Sequence, residues 1–386
     1  MRLASYIKAS LYCISIYKGE LPLAAWLKAY FRENKKFGSR DRRVVSHLCY
    51  SFFRLGGSFQ QEKPEDRMII ALFLTSSNPN ALLEEVKPEW NAVAQHSIKE
   101  KLTVLGAEDQ LPLLFPLHDH LSPEIEVDQF IPAHLVQPDL HLRLRPGKEE
   151  EVKLKLTTAG LSFEQTGPYS LSLPNSSAIE NVVELDAEAV VQDLSSQRVL
   201  EPLTAIDWLQ KSPIAVWDCC AASGGKSLLL WDTYPEVHLT VSDVRSSILR
   251  NLHERFARAG IKGYDSFVAD VSAPQFTMTK TFDLVVCDAP CSGSGTWSRT
   301  PEYLSFFKED KIKYYSDIQK WIGLNASKSL RKGAVFLYIT CSVFHEENED
   351  VVAYFEKETS MKLVSKTYFK GWEKKADTLF AALFSL

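Results

Sequence analysis

The chain has 386 residues, of which 45% are hydrophobic and 24% charged, and it carries a formal net charge of -5. That length predicts two or three domains, and the composition excludes a disordered or fibrous chain. The charge gives no global argument for nucleic-acid binding, and Lys8 interrupts the only N-terminal apolar run, so neither a signal segment nor a membrane span is expected.

Seven cysteines, an odd number without a secretory segment, predict reduced thiols in a cytoplasmic protein. No CxxC pair and no histidine pair at ligand spacing is present, so no structural zinc or other metal site is expected.

Residues 1 to about 58 read as helices, with Leu3, Ile7, Leu11 and Ile14 and then Leu23, Trp26, Leu27 and Tyr30 at helical spacing. Gly38 is placed to end one helix and Ser39 to cap the next, which buries Val44, Val45, Leu48, Tyr50, Phe52 and Phe53. This segment is basic, with Arg2, Lys35, Lys36, Arg40, Arg42, Arg43 and Arg54 among its cations. It is read either as a patch for an anionic polymer or as a solvated helix face. Helix is expected to continue from Glu65 to about Gly106, and the Pro-, His- and acid-rich run from Leu111 to Pro138 reads as a loop or linker. A small mixed segment follows. In it Leu140 to Leu144 alternates like a half-buried strand, Lys148 to Ala159 is helical, and Ser170 to Leu173 is available to pair with the first strand.

From Ile214 the pattern becomes strand and helix in alternation. Strands are predicted over Ile214–Asp218, His238–Asp243, Ser266–Asp270, Asp283–Asp288 and Ala334–Thr340, with an amphipathic helix over Ser246 to Ala259. Such a series implies a mostly parallel, doubly wound α/β sheet, whose carboxyl edge is where ligands bind. Helical residues 1–135, an α/β connecting segment 136–200 and a doubly wound domain 201–386 are the expected divisions.

The first strand runs into Cys220-Ala221-Ala222-Ser223-Gly224-Gly225-Lys226, a glycine turn entering a helix. It is not a phosphate-binding P-loop, because that motif needs a glycine at the position of Cys220. Asp243 ends the second strand and suits ribose hydroxyls; Asp270 ends the third and suits an adenine edge. Each acid alone reads as well as a strand cap, but together they suit S-adenosylmethionine better than a nucleotide triphosphate. The fourth strand ends in Asp288-Ala289-Pro290-Cys291 and the fifth in Thr340-Cys341-Ser342. Two thiols and a carboxylate beside a methyl-donor site point to methylation of cytosine C5. A thiolate adding to C6 turns the ring into an enamine, Asp288 would stabilise N3, and the second thiol would assist release. The base must first be unstacked. Which thiol attacks is left open by the residues themselves.

The segments VVQDLSSQ, DCCAASGGKS, SDVRSSILRNL, VADVSAP, CDAPCSGSGTWSRTPE and YITCSVFHEENEDVV resemble, in order, those of the RNA cytosine-5 methyltransferases of the Sun/Nop2/RsmB family. The resemblance implies a Rossmann-like S-adenosylmethionine methyltransferase domain. In it Cys341 is the nucleophile, Cys291 the residue of product release, and Cys220 to Lys226, Asp243, Asp270 and Asp288 the donor site. KKFGSRDRRVVSHLCYSFFRLGG is similar to the NusB-like helical domain of bacterial ribosomal-RNA members, which implies RNA contacts at Arg40, Arg42 and Arg43. Ser223 and Ser227 depart from the family's proline and threonine. The expectation is a monomer acting on RNA, 16S ribosomal RNA before transfer RNA. The rivals are a catalytically silent RNA-binding assembly factor, which the presence of both thiols and Asp288 opposes, and a non-RNA methyltransferase, which leaves the paired thiols unexplained. Trp297 and Arg299 are read as clamping the target strand, with core packing an equal alternative for Trp297.

Overall fold

The computed structural model describes residues 3–210, 213–234 and 236–386, so Arg2 lies outside the described residues. The chain begins with helices α1 (Leu3–Ile16), α2 (Leu23–Glu33), α3 (Ser39–Arg54), α4 (Pro64–Thr75), α5 (Ala81–Val86), α6 (Pro88–Asn91), α7 (Ile98–Leu105) and α8 (Val127–Ala133). The start of α3 is closed by the Asp41 carboxylate, which accepts from the Gly38 N–H at 3.1 Å, so Asp41 and not Ser39 supplies the cap. The helix expected over 65–106 is broken into four, with Asn80 and Ser97 capping the starts of α5 and α7.

Residues 111–138 are not a linker. Leu114, Phe115, Phe130, Ile131 and Leu135 are buried there. The prolines interrupt the helical period without removing the apolar side chains that hold the segment down. Arg54 also leaves the basic patch. It is buried and donates from Nη1 to the His134 and Val136 carbonyls at 2.6 and 3.2 Å and from Nη2 to Gln137 Oε1 at 2.8 Å, which satisfies the chain just after α8.

The next segment forms a four-stranded antiparallel sheet from β1 (Leu140–Leu144), β2 (Glu164–Gly167), β3 (Ser170–Leu173) and β4 (Ala189–Val191), in the order β2-β3-β1-β4. The expected pairing of β1 with β3 is present, Leu140 facing Leu173 and Leu142 facing Leu171. Helix α9 (Glu149–Thr158) buries Val152 and Leu156 on the sheet's apolar core. Helix α10 (Leu194–Arg198) follows, capped by Asp193.

Then come β5 (Ile214–Asp218), α11 (Gly225–Thr233), β6 (Val237–Asp243), α12 (Ser246–Arg258), β7 (Asp265–Val268), β8 (Phe282–Asp288), α13 (Tyr303–Phe306), α14 (Asp310–Ser327), β9 (Leu330–Thr340), α15 (Glu349–Glu358), β10 (Lys362–Lys370) and β11 (Thr378–Ser385). The seven strands lie in the order β10-β11-β9-β8-β5-β6-β7. β5 to β9 are parallel, and β11 and β10 add an antiparallel edge. β7 stops at Val268, two residues short of the expected Asp270. Val216, Val241, Leu284, Val286, Leu337 and Ile339 form the centre of the core. The strand order reverses between β5 and β8, the switch point at which open α/β sheets bind ligands.

The chain divides into two compact units. One comprises residues 3–119, 126–137 and 296–309; the other comprises 120–125, 138–295 and 310–386. The small sheet therefore belongs with the doubly wound sheet instead of standing apart. Asp232 of α11 binds Arg143 at 2.5 Å and Arg145 at 2.9 Å, a nearly dry double pair that joins the two sheets. No helix among the described residues is long and apolar enough to cross a membrane.

Candidate active site

The glycine turn after β5 takes a shape that its sequence requires. Gly224 has φ of +83°, and a Cβ there would stand 2.9 Å from both Leu252 Cγ and Phe256 Cε1 of α12. Ala222 is also left-handed, at φ +47°. Its N–H donates to Asp243 Oδ2 at 3.0 Å, and the same carboxylate accepts from the Arg245 N–H at 2.9 Å. Asp243 thus braces the turn from the end of β6. Arg255 Nη1 donates to the Ser223 carbonyl at 3.3 Å, so this position without a proline is held by a side chain from α12. Asp270 is exposed and accepts from the Ser272 N–H at 3.0 Å in the loop after β7.

Lys226, in the first turn of α11, reaches across to Asp288 at the end of β8, with Nζ 2.6 Å from Oδ2. Burial works against the Lys226 charge, but the Asp288 carboxylate outweighs it and holds the ammonium above its usual value. Asp218 is fully buried. Ser227 Oγ donates to its Oδ2 at 2.5 Å, while Oδ1 has no hydrogen-bond partner among the described residues. Burial pushes this carboxyl up to about 7.

The two thiols come together because β8 and β9 are neighbours in parallel register, Asp288 facing Ile339. Beyond those residues both strands turn, and Cys291 Sγ lies 3.2 Å from Cys341 Sγ, both half-buried. The Cys341 thiol beside it and burial push the Cys291 thiol well above its usual value. The loop is drawn back by Gly295, whose N–H donates to the Cys341 carbonyl at 2.9 Å. A Cβ on Gly295 would fall 2.0 Å from the Thr378 carbonyl oxygen, so only glycine fits.

Two features escaped the sequence reading. Cys219, Cys220 and Cys287, on the ends of β5 and β8, bring their Sγ atoms within 4.8 Å of one another. Hydrogen bonds from Cys219 and Cys287 hold the Cys220 thiol below its usual value. No spacing rule finds this cluster, because strand adjacency creates it. The second is Glu347, a fully buried carboxylate that accepts from the Ser292 N–H at 2.9 Å, Gln319 Nε2 at 2.9 Å and Ser342 Oγ at 2.7 Å. The signal for it was in the HEENED segment, where it reads as one surface acid among several.

The residues expected to touch RNA lie in the other unit. Arg40, Arg42 and Arg43 are at the exposed start of α3 and along its first turn. Trp297 is buried, its ring stacked on Phe115 at 5.4 Å and packed against Phe307 at 5.0 Å. It fills the core of that unit, which answers the open alternative in favour of packing. Arg299 is half-buried, in a turn closed by its own N–H on the Thr296 carbonyl.

Residues 208–380 match the model of a family described as 16S rRNA methyltransferase RsmB/F. Over this segment the chain is similar to members of that family. Ribosomal RNA small subunit methyltransferase B of Xylella fastidiosa is 29% identical over 264 residues, 67% of this chain and 62% of that protein. The protein of the same name from Yersinia enterocolitica is 31% identical over 166 residues, 43% of this chain and 37% of its own length. The chain thus spans less than two thirds of the curated relatives it matches. Among solved structures, PH0851 aligns over all of this chain and 98% of its own, with a TM-score of 0.71 and 19% identity. NSun6 from Pyrococcus horikoshii, solved with SFG, aligns over 71% of this chain and 97% of its own, with a TM-score of 0.59 and 17% identity. These likenesses establish the Rossmann-like methyltransferase fold.

Proposed function

We propose that the chain methylates C5 of a cytidine in RNA, with S-adenosylmethionine as donor, and that small-subunit ribosomal RNA is the substrate. The observation that carries this reading is the pair of thiols, 3.2 Å apart at the ends of adjacent strands, beside the Lys226–Asp288 pair. The family's description as a 16S rRNA methyltransferase supports the substrate.

The donor fits the residues present. The glycine turn from Cys220 to Lys226 packs closely on α12 through Gly224, and the carboxylates of Asp218, Asp243 and Asp288 bind this turn and the start of α11 where a nucleotide site would have a phosphate cradle. Asp218 Oδ1 is a buried polar atom without a hydrogen-bond partner among the described residues, which marks this strand end as polar beyond what the fold needs. S-adenosylmethionine supplies there a methyl carbon activated by a sulfonium. Asp270, exposed at the loop after β7, would close the adenine side.

On the base, the Cys341 thiolate forms a bond to C6, and the displaced electron pair moves through the ring towards N3. The Lys226–Asp288 pair faces that charge with a donor and an acceptor in contact, so it can balance N3 and the exocyclic groups without a free ion. After C5 has been methylated its proton must go to a base, the C5–H electron pair forms the C5=C6 double bond, and the Cys341–C6 pair returns to sulfur. Cys291, a thiol beside Cys341, is placed to hand its proton to the departing Cys341 sulfur and, as the thiolate so formed, to take the proton from C5.

Cys341→Ala and Cys291→Ala test the assignment with RNA and methyl-labelled donor on denaturing gels. Cys341→Ala should give neither turnover nor adduct, whereas Cys291→Ala should accumulate a stable protein–RNA adduct. Accumulation in Cys341→Ala would exchange the two roles, and parental methylation by both variants would sink the covalent mechanism.

A further inference from the structure

We propose that Glu347 is a positioning residue of the thiol pair: its carboxylate ties the loop that carries Cys291 to the strand end that carries Cys341 and so sets which thiol is free to attack. The inference rests on the preceding reading for what the two thiols do.

Both peptide neighbours of Cys291 are anchored on one small network. The Pro290 carbonyl accepts from Gln319 Nε2 at 3.0 Å, and the Ser292 N–H donates to Glu347 Oε2 at 2.9 Å. Gln319 Nε2 also donates to that oxygen, so α14 and Glu347 grip the loop from before and after the thiol. The other oxygen, Oε1, takes the hydroxyl of Ser342, the residue after Cys341. One carboxylate therefore spans both thiol-bearing segments. Three further contacts lock the arrangement, since the hydroxyls of Ser292, Ser294 and Ser342 lie 3.1 Å from one another.

Among the described residues no cation pairs with Glu347, and three neutral donors carry whatever charge it bears. Burial raises its pKa, and those hydrogen bonds oppose the rise. The groups facing Cys291 are Cys341 at the end of β9, Tyr338 within β9 and Glu347. Lys226, paired with Asp288, faces Cys341. Cys341 and burial are the larger causes of the raised Cys291 thiol, and Glu347 adds to them with the same sign. Lys226, already paired with Asp288, thus faces Cys341, while Glu347 faces Cys291 without a cation of its own among the described residues.

The test is peptide-resolved alkylation by iodoacetamide across pH 6 to 10, on the parent, Glu347→Gln and Ser342→Ala. It reads the thiols directly and does not depend on RNA methylation, so it separates failure of this inference from failure of the proposed function. In the parent, Cys341 should react before Cys291. In Glu347→Gln the Cys291 profile should move to lower pH, its rate at pH 8 rising about tenfold for a one-unit move. With RNA and donor, the adduct in this variant should outlive the parent's while KM for RNA stays the same. Ser342→Ala, which removes one donor, should shift Cys291 in the same direction by less. An unchanged Cys291 profile in a folded Glu347→Gln overturns the proposal. Should that variant fail to fold, an unchanged profile in Ser342→Ala overturns it equally.

Discussion

At the scale of single residues, Asp218 shows how a buried group reports on the site. A carboxyl in the unfolded chain titrates near pH 4, whereas burial holds the folded one up to about 7. Between those values the folded chain keeps a proton that the unfolded chain has released, so stability falls as pH rises through that window. Asp218→Asn carries no such proton. It should gain on the parent by on the order of 1–3 kcal/mol between pH 4 and 8, read from urea unfolding at the two ends. A constant difference between the two proteins would mean that Asp218 titrates normally. Asp218, Asp243 and Asp288 were legible in the sequence because a β-branched run ending in an acid is a local pattern. Glu347 was not, because its three donors come from Ser292, Gln319 and Ser342, and no local pattern joins them. Trp297 stands open in the sequence between strand contact and core packing, and Arg54 counts there among the basic segment's cations, for the converse reason: an aromatic or a cation carries no mark of whether it ends in water or in a core.

At the scale of elements, α14 and α15 pack through a position where glycine is required by its neighbour. A Cβ at Gly323 would lie 2.1 Å from Phe355 Cζ, and Phe355 is itself fully buried against Phe336, Tyr338 and Phe384. In an exposed helix Gly→Ala would add about 1 kcal/mol of stability. Here overpacking should win and Gly323→Ala should cost about 1–3 kcal/mol. Adding Phe355→Leu should recover part of the loss, and a double-mutant cycle from denaturant unfolding measures the coupling. Simple additivity would show that the helices do not meet through this pair. The parallel strands were readable as elements since each is a short apolar run. Their ends were less so: β7 stops at Val268 because the chain bends into the loop that holds Asp270 and Ser272. The run 111–138 reads as a linker because prolines and acids mark broken periodicity, yet broken periodicity is not exposure, and Leu114, Phe115 and Phe130 are buried there.

At the scale of the whole molecule, the formal charge of -5 constrains the RNA binding proposed above. An acidic chain gains no general attraction to phosphate, so on that proposal affinity would come from local cations such as Arg40, Arg42 and Arg43, which are exposed on α3. Binding to RNA should weaken with salt, and replacing the three arginines with Gln should lower the slope of log affinity against log salt by about 2. Filter binding at several salt concentrations checks this, and an unchanged slope would remove α3 from the interface. The alternation of patterns records the order of elements along the chain, but not which stretches pack into one compact unit. Contact between distant stretches decides membership, and composition does not record it.

The helical unit is built from residues 3–119, 126–137 and 296–309. Its last piece delivers Trp297 onto Phe115, Phe306 against Tyr17 and Phe53, and Glu302 Oε1 to the Leu23 N–H at 2.9 Å. During synthesis, that piece emerges only after most of the methyltransferase sheet has been made. At about 5–20 residues per second, the helical unit waits on the order of ten seconds or more for its closing segment. Translation therefore imposes a schedule on this chain. The part made first is completed late, and a fragment cut at residue 137 would present to solvent the aromatic surface that its own C-terminal half is meant to cover.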